Sequence, residues 1–441
     1  MTRTFHLKRF GALPAAAWLA VVLLPLASLP LFGMASVSSP TNIALLGFVA
    51  FAAVSIASAR AIPAYWHELG GGILAMLGVW MLLSAFFGDD PTEELRGAVT
   101  AIGAIVFYYA GSCLAYGDGR GWRWETAIFT SALAAAAVGV LHYAGLLAPF
   151  AFEAPVAAGR QIGSFQFSGG RYMGLFNAPG DYDIWLLSGV MVAHRWMFKP
   201  DCGVFVKMAA GGCALIMIAA ELVSQSRSGW ITFAVFLAIF WVGAIVSKTK
   251  TRWSKVYTLG VMVALALVAI DLLAISGIVS AIGRGFVDVS NYSVLARFAG
   301  YDDAIKTIIA DPVFGGGRVL AHFGGNEYIV HNAVLAYMSS YGVIAGIFFL
   351  VPVFYFIFKS IKNVSRERRT SFRCGDIAIS VALVALLISI SLNPALGSKV
   401  LFALLGCASG VIKTRGIDSG ARQWTVGEES DTGIGFSRFM E

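Results

Sequence analysis

Charge is scarce in this sequence. Only 13% of its 441 residues are Asp, Glu, Lys or Arg, about half of the roughly 25% found in soluble domains. So little charge cannot furnish the surface of a water-soluble globule. Cysteine is scarce too. There are five, with no CxxC and no Cys/His cluster. Cys113, Cys213 and Cys407 fall in apolar runs, and Cys202 and Cys374 in connections. That pattern argues against a disulfide framework and against a structural zinc site. No stretch of soluble character exceeds about 60 residues, so no separate soluble domain is expected. No internal repeat at fixed period is visible.

Apolar length is what the chain has in abundance. Hydrophobic residues make up 58% of it, and the mean hydropathy is +0.76. Runs of about 17–22 residues, enough to cross roughly 30 Å of hydrocarbon, recur near 14–33, 41–59, 70–87, 97–116, 125–147, 181–197, 204–223, 229–247, 256–278, 342–360, 375–393 and 395–413. The expected fold is an all-α polytopic integral membrane protein with about twelve transmembrane helices. The opening "MTRTFHLKRF" and the run behind it resemble a signal peptide, but about 18 apolar residues is long for one. A retained first helix is expected.

The net charge of +7 is no nucleic-acid signal here, because position matters more than sum. With the N-terminus inside, 23 of the 32 Lys and Arg fall in cytoplasmic segments, including "SKTKTRWSK" and "KSIKNVSRERRTSFR". Every alternate connection obeys this positive-inside bias. Both termini are therefore expected in the cytoplasm. Two long segments are left on the outer face, about 148–180 and 279–341, and loops of that length are usually functional. The membrane domain is expected over 1–415. The Gly/Ser-rich stretch 416–441 is expected as a disordered cytoplasmic tail.

Nine basic residues stay on the outer face: Arg96, Arg160, Arg171, Arg227, Arg284, Arg297, Lys306, Arg318 and Lys399. Arg227 is the sharpest case, set in "SQSRSGW" between two apolar runs. It either snorkels to lipid phosphate or binds an anionic group of a substrate through its planar fork of donors. Glu221, six residues earlier, is placed to orient it through a salt bridge. Helical spacing of Leu295, Phe298, Ala299, Ala304, Ile305 and Ile308 predicts a helix over 292–309, carrying Arg297 and stopped by Asp311-Pro312. The "GGGR" that follows, with Arg318, is either a plain turn or a backbone nest for an anion. In "VHNAVLAYMSSYG", His331 opens a helix on the face of Val334, Leu335 and Met338. It reads equally as a packed core residue and as a general base. Asp271, inside the run 256–278, is an intramembrane acid near an outer end. His142 reads as a packing residue.

Four of these stretches carry a resemblance. "SQSRSGW", "ARFAGYDDAIKTIIADPVFGGG", "HNAVLAYMSSYG" and, more loosely, "GRYMGLFNAPGDY" are similar in order and spacing to motifs of the O-antigen ligase and polymerase superfamily, over roughly 171–360. The chain departs from the pattern at Ala345, Ser340 and Ala178. The resemblance implies a multi-pass bacterial inner-membrane glycosyltransferase with a periplasmic active site, its large loop lying between helices nine and ten. The donor it implies is an undecaprenyl-diphosphate-linked glycan. The acceptor is lipid A–core for a ligase, or a second lipid-linked glycan for an O-antigen or exopolysaccharide polymerase; the ligase reading is preferred. Arg227, Arg297 and His331 are then expected to be catalytic, and Arg318, Arg171, Asn332 and Glu221 to bind substrate. No nucleotide sugar, nucleic acid or cofactor is expected, and membrane lipids are expected as further partners. The rival class is a twelve-helix transporter or flippase. Such proteins are often built from two similar halves with midplane polar sites. No halves are evident here, and the polar residues gather on one face.

No set of metal ligands can be assembled from the sequence, so transfer is expected to be metal-independent. Full activity of the purified protein in excess chelator is the expected result; loss of activity restored by one divalent ion would refute it.

Overall fold

A computed structural model describes residues 13–28, 39–59, 66, 68–88, 91–116, 122–147, 174–176, 179–199, 202–224, 226–246, 292–317, 320–323, 326–367, 374–392 and 398–412. The apolar runs become helices: α1 (Leu13–Val22, then a 3-10 turn Leu24–Ser28), α2 (Pro40–Ala59), α3 (Leu69–Ala85), α4 (Pro91–Tyr116), α5 (Trp122–Tyr143), α6 (Pro179–Phe198), α7 (Val204–Val223) and α8 (Arg227–Val246). After the undescribed stretch come α9 (Tyr292–Ala310), a hairpin of β1 (Leu320–Phe323) and β2 (Asn326–Ile329), α10 (Ala333–Glu367), α11 (Cys374–Leu392) and α12 (Lys399–Ile412). Among the described residues, five helical stretches are long and apolar enough to cross a membrane: Pro40–Ser58, Glu94–Tyr116, Arg123–Tyr143, Val204–Val223 and Ala333–Lys362. The expected run 256–278 with Asp271, the loop positions Arg160, Arg171 and Arg284, and the tail 416–441 lie outside the described residues.

The helices form one antiparallel bundle. α6 is its axis, packed by α5, α7, α8 and α11, and Trp185, Leu186, Leu187 and Val190 on it are all at 0% exposure. α4 and α12 run side by side at close range because small residues line the seam. A Cβ added at Gly410 would stand 2.7 Å from the Ser112 carbonyl oxygen. Helices α2 and α7 keep many large apolar side chains on the outside, among them Leu46, Val54, Phe205 and Met208. That is the surface a bilayer requires.

Polar side chains gather at the two ends of the bundle. At one end Glu68 accepts from Lys359 (2.9 Å) and from Ser409 (2.9 Å), whose own hydroxyl accepts from Tyr108 at 3.0 Å. Glu125 there accepts from Arg195 and from Trp196. At the opposite end Ser398 donates to Asp181, and Lys399 donates to Asn42 at 2.7 Å. That second end also carries the α7–α8 turn and the start of α10.

Two features depart from the expected all-α architecture. The first is the hairpin, antiparallel with Leu320 opposite Ile329 and Phe323 opposite Asn326. Its sequence has the intervening Gly324-Gly325 of a hairpin, but the four-residue strands are too short to show a period. The second is in α10. The run expected from 342 to 360 begins earlier, at Ala333, and is broken at Tyr341 (φ −131°) and Gly342 (φ +82°, ψ 167°). A continuous helix would bond the Val343 N–H to the Ser339 carbonyl. Instead Val343 donates to the Pro312 carbonyl and Ser339 accepts from the Gly316 N–H, each at 2.9 Å. The segment after α9 is thus spliced into the backbone of α10.

Gly342 holds a conformation open to glycine almost alone, and a Cβ there would run into the Val313 carbonyl. Gly342→Ala is expected to cost about 1–3 kcal/mol and lower the thermal midpoint in detergent. Gly47→Ala on α2, where a Cβ meets nothing within 4 Å, is the control expected to hold or raise it. Equal midpoints for the two variants would refute the strained break.

Candidate functional site

The α7–α8 turn is built by serines. Ser224 ends α7 and donates to the Glu221 carbonyl at 2.7 Å; its oxygen takes the Ser226 N–H at 3.2 Å. Ser226 is the N-cap of α8: its hydroxyl oxygen accepts from the Gly229 N–H at 3.3 Å, satisfying one of the N–H groups a helix start leaves over, and its carbonyl takes the first intrahelical bond from the Trp230 N–H at 2.9 Å. The Ser226 hydroxyl donates to Asp183 Oδ2 at 2.5 Å and lies 3.1 Å from Ser228 Oγ. Trp230 Nε1 donates back to the Glu221 carbonyl at 3.1 Å. Arg227 is the first residue of α8, and its side chain lies outside what the structure describes.

Beneath this turn two acids converge. Asp183 of α6 and Glu221 of α7 are at 0% and 1% exposure. A Cβ added at Gly229 would strike Glu221 Oε1 and stand 2.8 Å from Asp183 Oδ1. Both carboxyl groups therefore face one point on the first turn of α8, which is why that position has no side chain.

The second part of the site is the start of α10. The helix begins at Ala333, so His331 stands just outside it, half-buried. This corrects the expected placement on the face of Val334, Leu335 and Met338. The cap is Asn332: its Oδ1 accepts from the Leu335 N–H at 3.1 Å and its carbonyl from the Ala336 N–H at 2.9 Å. Asn332 thus has a structural task beside any role with substrate. Helix α9 docks here. Ala304 packs with Val330 and Ala336, and the Tyr301 hydroxyl donates to the His331 carbonyl at 3.0 Å. Burial pushes the Tyr301 phenol above its ordinary range, and the positive charge of Arg297 draws it back. Tyr301 therefore feels the charge of Arg297 and holds the His331 backbone.

The third part is the glycine turn, where the first two N–H groups of the anion nest its sequence allows are already taken. The Phe314 and Gly315 N–H groups bond to Asp311 (3.1 Å each) and the Gly316 N–H to Ser339. Those donors are occupied. Phe314 is stacked between Trp80 and Phe87, at 5.7 Å and 4.3 Å between centroids. Glu94, 5% exposed, fits its carboxylate between the backbones of Gly88 and Gly317, where a Cβ on either would collide with it. Lys306, Thr307, Asp311 and Gly316 open beside Phe87 onto a cavity of about 440 Å³. Arg318 and Arg171 lie outside the described residues. Among the described residues no three metal-ligating side chains gather.

Sequence reasoning missed Asp183, Glu94 and Tyr301. The first two sit in the opening turns of α6 and α4, where an acid usually serves the helix dipole. Tyr301 reads as an ordinary position on an amphipathic helix.

Residues 212–350 match the family model described as O-antigen ligase. The matched segment contains Glu221, Arg227, Arg297, Arg318, His331 and Asn332, and leaves out Arg171, Asp183 and Glu94. Comparison with curated proteins gives no match.

Gly229→Ala is expected to destabilise the protein by about 1–3 kcal/mol, the usual cost of overpacking a full site, and to abolish any activity that depends on the turn. A wild-type thermal midpoint for this variant would refute the packing described.

Proposed function

We propose that this chain, a member of the O-antigen ligase and polymerase superfamily by its segment 212–350, transfers a glycan from undecaprenyl diphosphate to an acceptor hydroxyl. The preferred acceptor is lipid A–core. In the proposed setting the chain crosses the bacterial inner membrane about twelve times, with both termini in the cytoplasm and the site on the periplasmic face. What carries the reading is the family match over the segment that holds Arg227, Arg297 and His331. The gathering of Arg297, Tyr301 and His331 at one end of the bundle supports it.

The chemistry follows from the donor. Its anomeric carbon is bonded to a diphosphate, a good leaving group. The acceptor oxygen attacks that carbon, the bond to the diphosphate oxygen breaks, and undecaprenyl diphosphate departs with the electron pair. Negative charge grows on the leaving group at the membrane surface. Fixed cations there stabilise the transition state more than the ground state. Arg227 and Arg297 are assigned that task, with Arg318 and Arg171 as helpers. His331 takes the acceptor's proton, or orients the hydroxyl that carries it. Direct attack inverts the anomeric centre. No step calls for a cofactor.

The test is transfer by the purified chain from the host's own lipid-linked glycan, offered lipid A–core and, separately, a second donor molecule. Wild type is expected to extend lipid A–core. His331→Ala is expected to lose about 10²–10⁴-fold and Arg227→Ala about 10²–10³-fold, both with wild-type thermal midpoints. Extension of the second donor instead identifies a polymerase. Mutants that match wild type refute the assigned roles, and uptake or flipping without any new glycosidic bond refutes the enzyme.

A further inference from the structure

The cavity beside Phe87 has no part in the reaction as assigned. Its volume of about 440 Å³ suits a small molecule or one segment of a larger one. Phe87 lines it just beyond the end of α3, Lys306 and Thr307 line it from α9, and Asp311 from the turn that follows. One part of the lining is a flat ring held in place. Phe87 stacks on Phe314 at 4.3 Å with 21° between the planes, Phe314 stacks on Trp80, and Ser84 donates to the Phe314 carbonyl. The stack is three rings deep, yet Phe87 is 63% exposed. The rest of the lining is polar. Asp311 Oδ1 accepts from the Phe314 N–H at 3.1 Å, which fixes the carboxylate; two oxygens with about four lone-pair sites leave it room for further donors. Thr307 donates to the Asp303 carbonyl at 2.9 Å, so its proton is spent and its oxygen is left to accept. Lys306 brings donors and pairs with Asp302 at 2.5 Å and Asp303 at 3.9 Å. Gly316 has no side chain to crowd Thr307; a Cβ there would stand 2.7 Å from Thr307 Cγ2. Charge disfavours one class of ligand. Among the described residues here, one cation stands with three carboxylates, a poor place for a diphosphate. A sugar ring matches what is present. Its C–H face, with partly positive hydrogens, suits the negative face of an aromatic ring, and its hydroxyls both donate and accept.

We propose that this cavity is a saccharide subsite, holding one uncharged sugar ring of a glycan substrate stacked on Phe87 and hydrogen-bonded to Asp311 and Thr307. The proposal rests on the reading of the chain as a glycan transferase. Its location fits that reading. Thr307 is six residues along α9 from Tyr301, about 9 Å at the helical rise, and Tyr301 is bonded to the His331 carbonyl. A ring held here is near the assigned base but not at it, the position of a sugar next in line to the reacting one. Binding energy gained there orients the reacting centre. The ring belongs to the lipid-linked donor or to the acceptor, and the recognition chemistry is the same for both.

Steady-state transfer by the full chain in nanodiscs tests this, with donor and acceptor varied in turn for wild type, Phe87→Leu, Thr307→Val and Phe86→Leu. Phe87→Leu stays apolar and loses the flat face. Thr307→Val keeps the shape and loses the accepting oxygen. Phe86 is as exposed as Phe87 but outside the cavity lining, so it is the control for a ring that only sits in lipid. Phe87→Leu is expected to raise one KM about five- to tenfold and Thr307→Val to raise the same KM about three- to fivefold. Both keep kcat within about twofold, and Phe86→Leu matches wild type. The KM that rises tells donor from acceptor. An unchanged KM for Phe87→Leu, or the same rise for Phe86→Leu, overturns the subsite. A second measurement needs no turnover: binding, by saturation-transfer NMR, of the host's glycan freed from its lipid diphosphate and of the core oligosaccharide freed from lipid A. One of the two is expected to bind wild type about five- to tenfold more tightly than Phe87→Leu, with no displacement by inorganic diphosphate. Binding of neither, equal binding to both proteins, or displacement by diphosphate overturns the subsite. The expected binding pattern without any transfer keeps the subsite and overturns the enzyme reading, a separate failure.

Discussion

The break in α10 is the constraint on which the candidate site depends. A helix cannot be opened inside a bundle without leaving backbone donors and acceptors in need of partners. Here the partners come from the segment after α9: Pro312 takes the Val343 N–H, and Gly316 supplies the donor for Ser339. Trp80 answers the Tyr341 carbonyl at 2.9 Å. Because those bonds must be made, the segment 311–316 is held against α3 and α10. Helix α9 is then fixed over the start of α10, where Tyr301 reaches the His331 carbonyl. The glycines serve this splice. Gly315 and Gly317 have positive φ, and a Cβ at Gly315 would stand 2.6 Å from the Gly342 nitrogen.

The two polar ends of the bundle differ in character. At one, Glu68 and Lys359, and Glu125 and Arg195, are paired acids and bases, an arrangement that closes on itself. At the other, acids outnumber the bases whose contacts are described: Asp181, Asp183, Glu221 and Glu94 are held by serines, helix starts and glycine backbones. Helix α9, which carries Arg297, docks at this same end.

The main helices were legible because each signal is local. Length and hydropathy mark a span, and Asp311-Pro312 marks the stop of α9. Arg297 and His331 are candidates by residue type and motif, and the structure brings their neighbourhoods together through Tyr301. The hairpin was too short to show a period. The break in α10 was hidden because Gly342 stands in a sequence apolar on both sides, and the partners that make it possible lie near residue 312.

By itself the sequence determined that the chain is rich in apolar membrane-type helices, where most of the described ones run, and which of its motifs resemble those of the O-antigen ligase family, since composition and periodicity are properties of neighbours along the chain. Only the tertiary structure decided that the glycine turn fills a broken helix instead of displaying its N–H groups, that Asn332 is a cap, and that Asp183 meets Glu221 at Gly229. Each of those depends on which buried polar group answers which other across the bundle. Residues 183, 221 and 229 come to one point only when three helices have packed.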